Sequence, residues 1–314
     1  MISERAIRTR AGAAEAEGAH RSPIFELDKA DFKGSFNRRP YLFQHRIAGH
    51  PLFNLPRLIE LARGLPRELI DYNAGDIPVS IDPRLTPANG LSVEETIRRI
   101  EECNSWMVIK RVERDLEYKE LMDFCLDEIR GLSEQVEPGT FERAGSIFIA
   151  SPGSVTPYHL DHETNFLLQI RGSKTVYTFD KGDPSVLPPQ QLEEYYGSTT
   201  LYRNLVFKEE FHEKSRPFEL TPGSVIHIPS TAPHWVKNGD GVSISFSAAF
   251  QTKTTDRIRN IHRFNALLRN RGGEPAPVGQ SAVRDAFKDL GFRAFRRGRA
   301  LLIGEPEPVV ERYF

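Results

Sequence analysis

The chain has 314 residues, room for one large domain or two ordinary ones, and 39% apolar residues plus 23 glycines supply a real core, which excludes a disordered or collagen-like protein. Its 42 Lys+Arg against 43 Asp+Glu leave a net charge of -1, so the molecule as a whole has no long-range field to draw in nucleic acid or an anionic membrane. Two cysteines, Cys103 and Cys125, are too few for a disulfide framework and stand outside any Cys-x-x-Cys pattern, so buried thiols are expected.

Residues 1–22 lack the apolar core of a signal peptide, and no run of about 18 apolar residues marks a membrane span. A flexible start on a cytoplasmic protein is expected. The first half then alternates helical patterns with Pro-rich joints. Asn54 caps a helix with Pro56 near its start, Leu58, Leu61 and Ala62 on one face, and Gly64 at its stop. Ser92 and Glu95 form a capping-box pair ahead of Ile97 and Ile100. Leu121, Phe124, Cys125 and Glu128 follow a helical face that is predicted to end near Gly131.

From about Ser146 the period changes from 3.6 to 2. Strands are predicted at Ser146 to Ala150, Val155 to Leu160, Thr164 to Ile170, Lys174 to Phe179, Ser224 to Ile228 and Val242 to Phe250. Arg171-Gly172-Ser173 and Thr221-Pro222-Gly223 supply turns. Many short strands at this spacing indicate a sandwich or jelly roll, not a parallel sheet. The long connection from Lys181 to Pro217, with Pro188 to Tyr196 as a candidate helix, reads as a lid or substrate loop. After Phe250 the helical period returns, with Ile258, Ile261, Asn265 and Leu268 on one helix and Val283, Phe287 and Leu290 on a second. Lys253 to Arg299 holds 12 Lys/Arg against 4 Asp/Glu, either solvated charge behind two apolar helix faces or a nucleic-acid surface.

His159 and Asp161 are one residue apart in a strand pattern, so their side chains project from one face at the spacing of adjacent metal ligands. Alone, His-x-Asp is a common chance pair. The segment from Pro222 to Pro229 followed by Pro233-His234-Trp235 adds a turn, a strand, a second turn and a histidine entering another strand. A jelly roll brings such distant strands together, so His234 can meet the pair across the barrel mouth. Two neutral imidazoles and one carboxylate suit the open octahedral site of non-haem Fe(II) oxygenases; zinc fits the same ligands but leaves Lys174 unexplained. Lys174 follows a hairpin turn, where a cation is most simply solvated. Thr156 and Asn165, however, flank the same mouth, and a cation with a hydroxyl can hold the remote carboxylate of a dicarboxylate whose other end meets the metal. His162 is expected to point away from the metal, His227 to be a packed core histidine, and His212 and His262 to lack partner spacing.

The stretch from Thr156 to Lys174, in the order Thr, His-x-Asp, Asn-Phe, Gly-x-Lys, with Pro-Gly, Ile-Pro and a distal His behind it, resembles the JmjC or cupin-like 2-oxoglutarate oxygenases, and most closely their asparaginyl hydroxylase branch. The similarity runs over about Ser146 to Phe250. It implies a mainly β fold, a double-stranded β-helix of the jelly-roll kind with flanking N- and C-terminal α-helices. By resemblance His159, Asp161 and His234 would bind Fe(II), Thr156 and Lys174 would hold 2-oxoglutarate, and Asn165 would line its pocket. Where that branch carries Asn on the last core strand this chain has Phe246-Ser247-Ala248-Ala249, with Ser247 nearest. The implied domains are a catalytic unit over 23–252, helical to about 140 with the jelly-roll core from about 141, and a helical region over 253–314 expected to make a homodimer. The implied activity is hydroxylation of a C–H bond with O₂ and 2-oxoglutarate as cosubstrates, on a protein or peptide side chain. A small metabolite or RNA substrate is the alternative, and a non-catalytic cupin-like sensor or transcription regulator is disfavoured because every metal and cosubstrate position is filled.

Overall fold

The computed structural model describes residues 22–198, 200–303 and 310–312. The predicted flexible start therefore lies, but for Arg21's successor Ser22, outside the described residues. In chain order the strands are β1 (Phe25–Glu26), β2 (Tyr41–His45), β3 (Ile70–Ala74), β4 (Ser105–Lys110), β5 (Thr140–Ala150), β6 (Val155–His159), β7 (Thr164–Arg171), β8 (Lys174–Thr178), β9 (Thr200–Tyr202), β10 (Arg216–Leu220), β11 (Ser224–Ile228), β12 (His234–Asn238), β13 (Ser243–Thr252) and β14 (Val310–Arg312). They form a major sheet ordered β1-β2-β11-β7-β13-β5-β4-β3, a minor sheet ordered β10-β8-β12-β6, and a small parallel pair of β14 with β9. Successive strands alternate between the two antiparallel sheets from β5 to β8 and again from β10 to β13, with β8 and β10 side by side in the minor sheet and β9 peripheral. This is the double-stranded β-helix.

The alternation along β7 and β13 explains why the sheets pack as they do. Phe166, Leu168, Ile170, Ile244, Phe246, Ala248 and Phe250 point outward into a helix layer, while Asn165, Leu167, Ser245 and Ser247 share the inner face. The layer comprises helices Lys29–Ser35, Leu55–Gly64 and Leu116–Val136. Phe32, Phe53, Leu58, Tyr118, Met122 and Cys125 seat it on the sheet. The caps read from sequence are present. Asn54 Oδ1 accepts from the Arg57 amide at 2.8 Å, and Ser92 and Glu95 exchange both capping-box bonds. Gly172 takes φ 68° in the β7–β8 hairpin, where an added Cβ would lie 2.3 Å from the Val242 carbonyl, so the turn requires glycine.

Three expectations are corrected. The region to about 140 is only partly helical, because β1 to β4 extend the major sheet on both sides. Ser105–Lys110, buried from Ser105 to Ile109 on both faces, has no period-2 signature to betray it. Gly131 does not end its helix, which runs 21 residues to Val136, since the buried face of Tyr118, Met122, Cys125, Leu126, Ile129 and Ser133 carries it through. In the tail, Ile258, Ile261 and Leu268 do not form one free stripe. Ile261 is buried, and helix Lys253–Arg269 packs on helix Pro189–Gly197 and on the second tail helix, Ala282–Ile303. Among the described residues, no helix is long and apolar enough to cross a membrane.

Candidate metal centre

At one end of the minor sheet His159, the last residue of β6, pairs with His234, the first of β12, and their ring centroids are 4.1 Å apart. Asp161 follows two residues beyond β6. One donor atom from each of the three lies within 4.8 Å of the others, and all three residues are buried. His159 Nδ1 lies 2.7 Å from the Pro157 carbonyl and His234 Nδ1 lies 3.0 Å from the Ala232 carbonyl. A carbonyl only accepts, so each Nδ1 carries the proton and Nε2 is left as the donor to a cation. His234 Nε2 stands 3.8 Å from Asp161 Oδ2.

The electrostatics favour the same use. Burial, helped by the neighbouring His234, pushes the His159 imidazole down to about 3, so it is neutral at ordinary pH. Burial alone would raise the Asp161 carboxyl, but the Arg203 guanidinium and the two imidazoles outweigh it and hold the carboxyl well below the usual range. Two imidazole nitrogens and one carboxylate converge in a buried site, a donor set that fits a divalent cation.

Asp161 is fixed from several directions. Its backbone carbonyl accepts from the Thr231 amide at 2.6 Å, and Thr231 holds φ 63°, an unusual value for a β-branched residue and one that the surrounding turn must maintain. Its Oδ2 accepts from Asn165 Nδ2 at 3.4 Å, and its Oδ1 accepts from Arg203. Arg203 also donates to both Glu163 oxygens, at 2.9 and 2.8 Å, and is itself buried. Sequence reasoning missed Arg203. It sits in the long connection, 42 residues beyond Asp161, and no local motif points to it.

The remaining predicted residues also lie on the inner face. Asn165 on β7 receives the Ser247 hydroxyl of β13 at 2.7 Å on its Oδ1. Thr156 reaches the inner face through an irregularity: the β6–β12 register slips between His234 and Val236, so Thr156 opposite Val236 and His159 opposite His234 face inward although three residues apart. Lys174 opens β8, four residues from Thr178, which is opposite His234. It is buried without a hydrogen-bond or ion-pair partner among the described residues, and burial pushes its ammonium down to about 7. Thr156 and Lys174 make no hydrogen bond to the other five predicted residues. Of the other histidines, His227 is a core residue stacked between Phe36 and Phe166, His162 is buried with Nδ1 3.3 Å from the Tyr195 hydroxyl, and His262 stacks on Tyr196. The connection after β8 packs Leu187, Tyr195, Leu205 and Phe211 on the outer face of the minor sheet against Tyr158 and Trp235.

Comparison with known proteins gives a match to the cupin-like domain family model over residues 91–256. HSPB1-associated protein 1 of Bos taurus is 26% identical over 138 residues, 42% of this chain and 28% of that protein. The Homo sapiens protein is 28% identical over 118 residues, 35% and 24% respectively. The aligned part thus spans less than a third of these curated relatives. Among solved structures, E. coli ycfD is 17% identical with a TM-score of 0.47, covering 90% of this chain and 70% of that one. YcfD, a ribosomal oxygenase from Escherichia coli in complex with cobalt and 2-oxoglutarate, is 17% identical with a TM-score of 0.43, covering 86% and 67%.

Proposed function

The chain belongs to the cupin-like domain family, and from that premise we propose that it is an Fe(II)- and 2-oxoglutarate-dependent oxygenase that hydroxylates a C–H bond on a protein or peptide side chain. The observation that carries this reading is the buried His159, Asp161 and His234 group standing above a buried Lys174 that has no hydrogen-bond or ion-pair partner among the described residues. Iron alone would need only the first three. A lone cation deeper in the same barrel is what a dicarboxylate cosubstrate requires. Along β8 the four residues from Thr178 to Lys174 correspond to about 13 Å of strand, a span that a lysine side chain and a five-carbon diacid together can bridge.

In this reading His159, Asp161 and His234 hold Fe(II), Lys174 and Thr156 hold the far carboxylate of 2-oxoglutarate, and Asn165 with Ser247 lines the pocket and steadies Asp161. Bound together, iron and 2-oxoglutarate supply what no side chain can: one atom of O₂ enters the substrate C–H bond and the other enters succinate, with release of CO₂. The chain orients the reactants and excludes other C–H bonds. The direct test is mass spectrometry of candidate peptides, metabolites and RNA incubated with the protein, Fe(II), 2-oxoglutarate and O₂. A gain of one oxygen on a peptide supports the reading, and a gain only on metabolite or RNA reassigns the substrate.

Lys174→Ala is expected to weaken 2-oxoglutarate binding by about 10- to 150-fold, the worth of a charge-assisted contact, with metal affinity unchanged. The pH dependence has a definite sign. Because the free ammonium titrates near 7, cosubstrate affinity in the wild type stays level below that pH and falls above it, approaching about tenfold per unit as the ammonium is lost. Calorimetry between pH 6 and 8.5 reads both effects, and an equal slope in Lys174→Ala places the anchor elsewhere.

The catalytic unit in this proposal covers residues 23–252, and 253–314 is the dimerisation region. What supports the dimer is the outer face of the second tail helix, where Val283, Phe287 and Leu290 are 67%, 70% and 65% exposed, too apolar a stripe to leave in water without cause. Two such faces meeting about a two-fold axis would cover each other. Phe287→Asp is expected to convert a dimer to a monomer in light scattering. A monomeric wild type defeats the dimer, and salt-sensitive RNA binding lost on truncation at Lys253 favours the nucleic-acid reading of the basic tail.

A further inference from the structure

The register of the minor sheet places one residue of each strand on a single row: Arg216 opposite Thr178, Thr178 opposite His234, and His234 opposite His159. Directly opposed residues share a face, and Phe218 and Leu220, of the same parity as Arg216, pack inside the barrel. Arg216 therefore stands on the face that carries the metal-binding histidines. It is two strands from His234, about 10 Å at the usual spacing.

β10 is the edge of its sheet. Where the two sheets part beside it, a groove of about 370 Å³ is lined by Arg38, Arg39, Lys181, Lys214 and Arg216, with Asp180 the single acid among the lining residues. Lys214 pairs with Asp183 at 3.0 Å, whereas Arg38, Arg39 and Arg216 have no carboxylate partner among the described residues. A chain of net charge -1 thus gathers three arginines without a carboxylate partner in one groove, while Lys181 donates to the Ser230 carbonyl at 3.1 Å and lies in the field of Glu137 and Asp180. Arg216 lies with its guanidinium carbon 5.1 Å from the Phe218 ring centroid, and stacking of that kind leaves in-plane N–H groups for a ligand.

The groove and the metal centre share a wall, the turn over residues 229–233. Ala232 lines the groove while its carbonyl takes the His234 Nδ1 proton, and Thr231 holds the Asp161 carbonyl. We propose that the groove binds carboxylate side chains of an acidic peptide segment, part of the substrate whose reacting residue lies over His159, Asp161 and His234. About 10 Å is the length of about three extended residues, so one short segment reaches both. The groove's aromatic residue, Phe179, is buried and offers no stacking platform, which disfavours a single-stranded nucleic acid. Only what happens at the metal rests on the oxygenase reading; the acid-binding groove does not.

The test is fluorescence anisotropy of fluorescein-labelled hexaglutamate, with labelled (Gly-Ser)₃ as the neutral comparison. Hexaglutamate should bind the wild type with an affinity that falls with salt, and (Gly-Ser)₃ should not. Arg216→Ala should weaken it roughly fivefold, as for an exposed ion pair, and Arg216→Glu more, while Arg297→Ala on the exposed tail should leave it unchanged. The proposal is overturned if hexaglutamate binds no better than (Gly-Ser)₃, if Arg216→Glu has no effect, if Arg297→Ala matches Arg216→Ala, or if dodecauridylate outcompetes hexaglutamate at the groove. Co(II) and 2-oxoglutarate binding, measured by calorimetry on the wild type, separates the two readings. Its absence with the groove's selectivity intact sinks the oxygenase and leaves the acid-binding site; the converse sinks the groove alone.

Discussion

His159→Ala or Asp161→Ala is expected to lower affinity for Fe(II), read conveniently with Co(II), by more than about 100-fold. Removing a group that only hydrogen-bonds a ligand already costs about 10- to 100-fold, and each of these substitutions removes a ligand. Turnover of 2-oxoglutarate should disappear with the metal. The fold should survive, because the three side chains pack around one another at the barrel mouth and the main apolar core lies beyond the major sheet. Circular dichroism and a denaturation midpoint establish that point separately. Should either variant bind Co(II) as tightly as the wild type in a folded state, the three residues are not the metal ligands.

That centre was legible because its signal is local. His159 and Asp161 are separated by one residue, and a period of two read through them put both on one side, although β6 ends at His159 and the Thr231 amide, Asn165 and Arg203 fix Asp161 just beyond it. Asn165 was also within reach on the strand flanking the same mouth, whereas Ser247 came from the family pattern, as the residue nearest its Asn, and the β7–β13 pairing puts its hydroxyl 2.7 Å from Asn165. Thr156 needed more than alternation. A regular strand would turn a residue three before His159 to the opposite face, and only the slip in the β6–β12 register brings it inside; the family pattern, not the period, pointed to it. The strands before residue 140 were hidden for the reverse reason. Ser105–Lys110 is covered on both faces, so its sequence has no polar side to reveal a period of two. Gly131 misled because a glycine near a helix end usually marks a stop, yet the helix is held by its buried face.

Arg203 lay beyond any local reading, and it should matter most to stability. Its guanidinium serves the buried Asp161 carboxylate and the half-buried Glu163 carboxylate, while His159 beside them is neutral. Arg203→Met leaves both carboxylates without their cation, and breaking a buried pair in this way costs about 3–5 kcal/mol. The loss should appear as a lower denaturation midpoint at neutral pH. A saturating divalent metal should recover part of it, since the metal binds only the folded state and returns positive charge to Asp161. The pH dependence distinguishes lost charge pairing from simple lost packing. In the wild type, burial would raise the Asp161 and Glu163 carboxyls but Arg203 holds both down, so their stabilisation is present above the ordinary carboxylate range and is lost as pH falls through the folded values. Without Arg203 burial dominates and the folded values rise, so the variant is penalised at neutral pH and relieved as its carboxyls take up protons. The stability gap between wild type and Arg203→Met should therefore narrow as the solution is acidified to about pH 4. A gap that stays constant over that range would assign Arg203 a packing role only, and Asp161 would then owe its orientation to the Thr231 amide and Asn165.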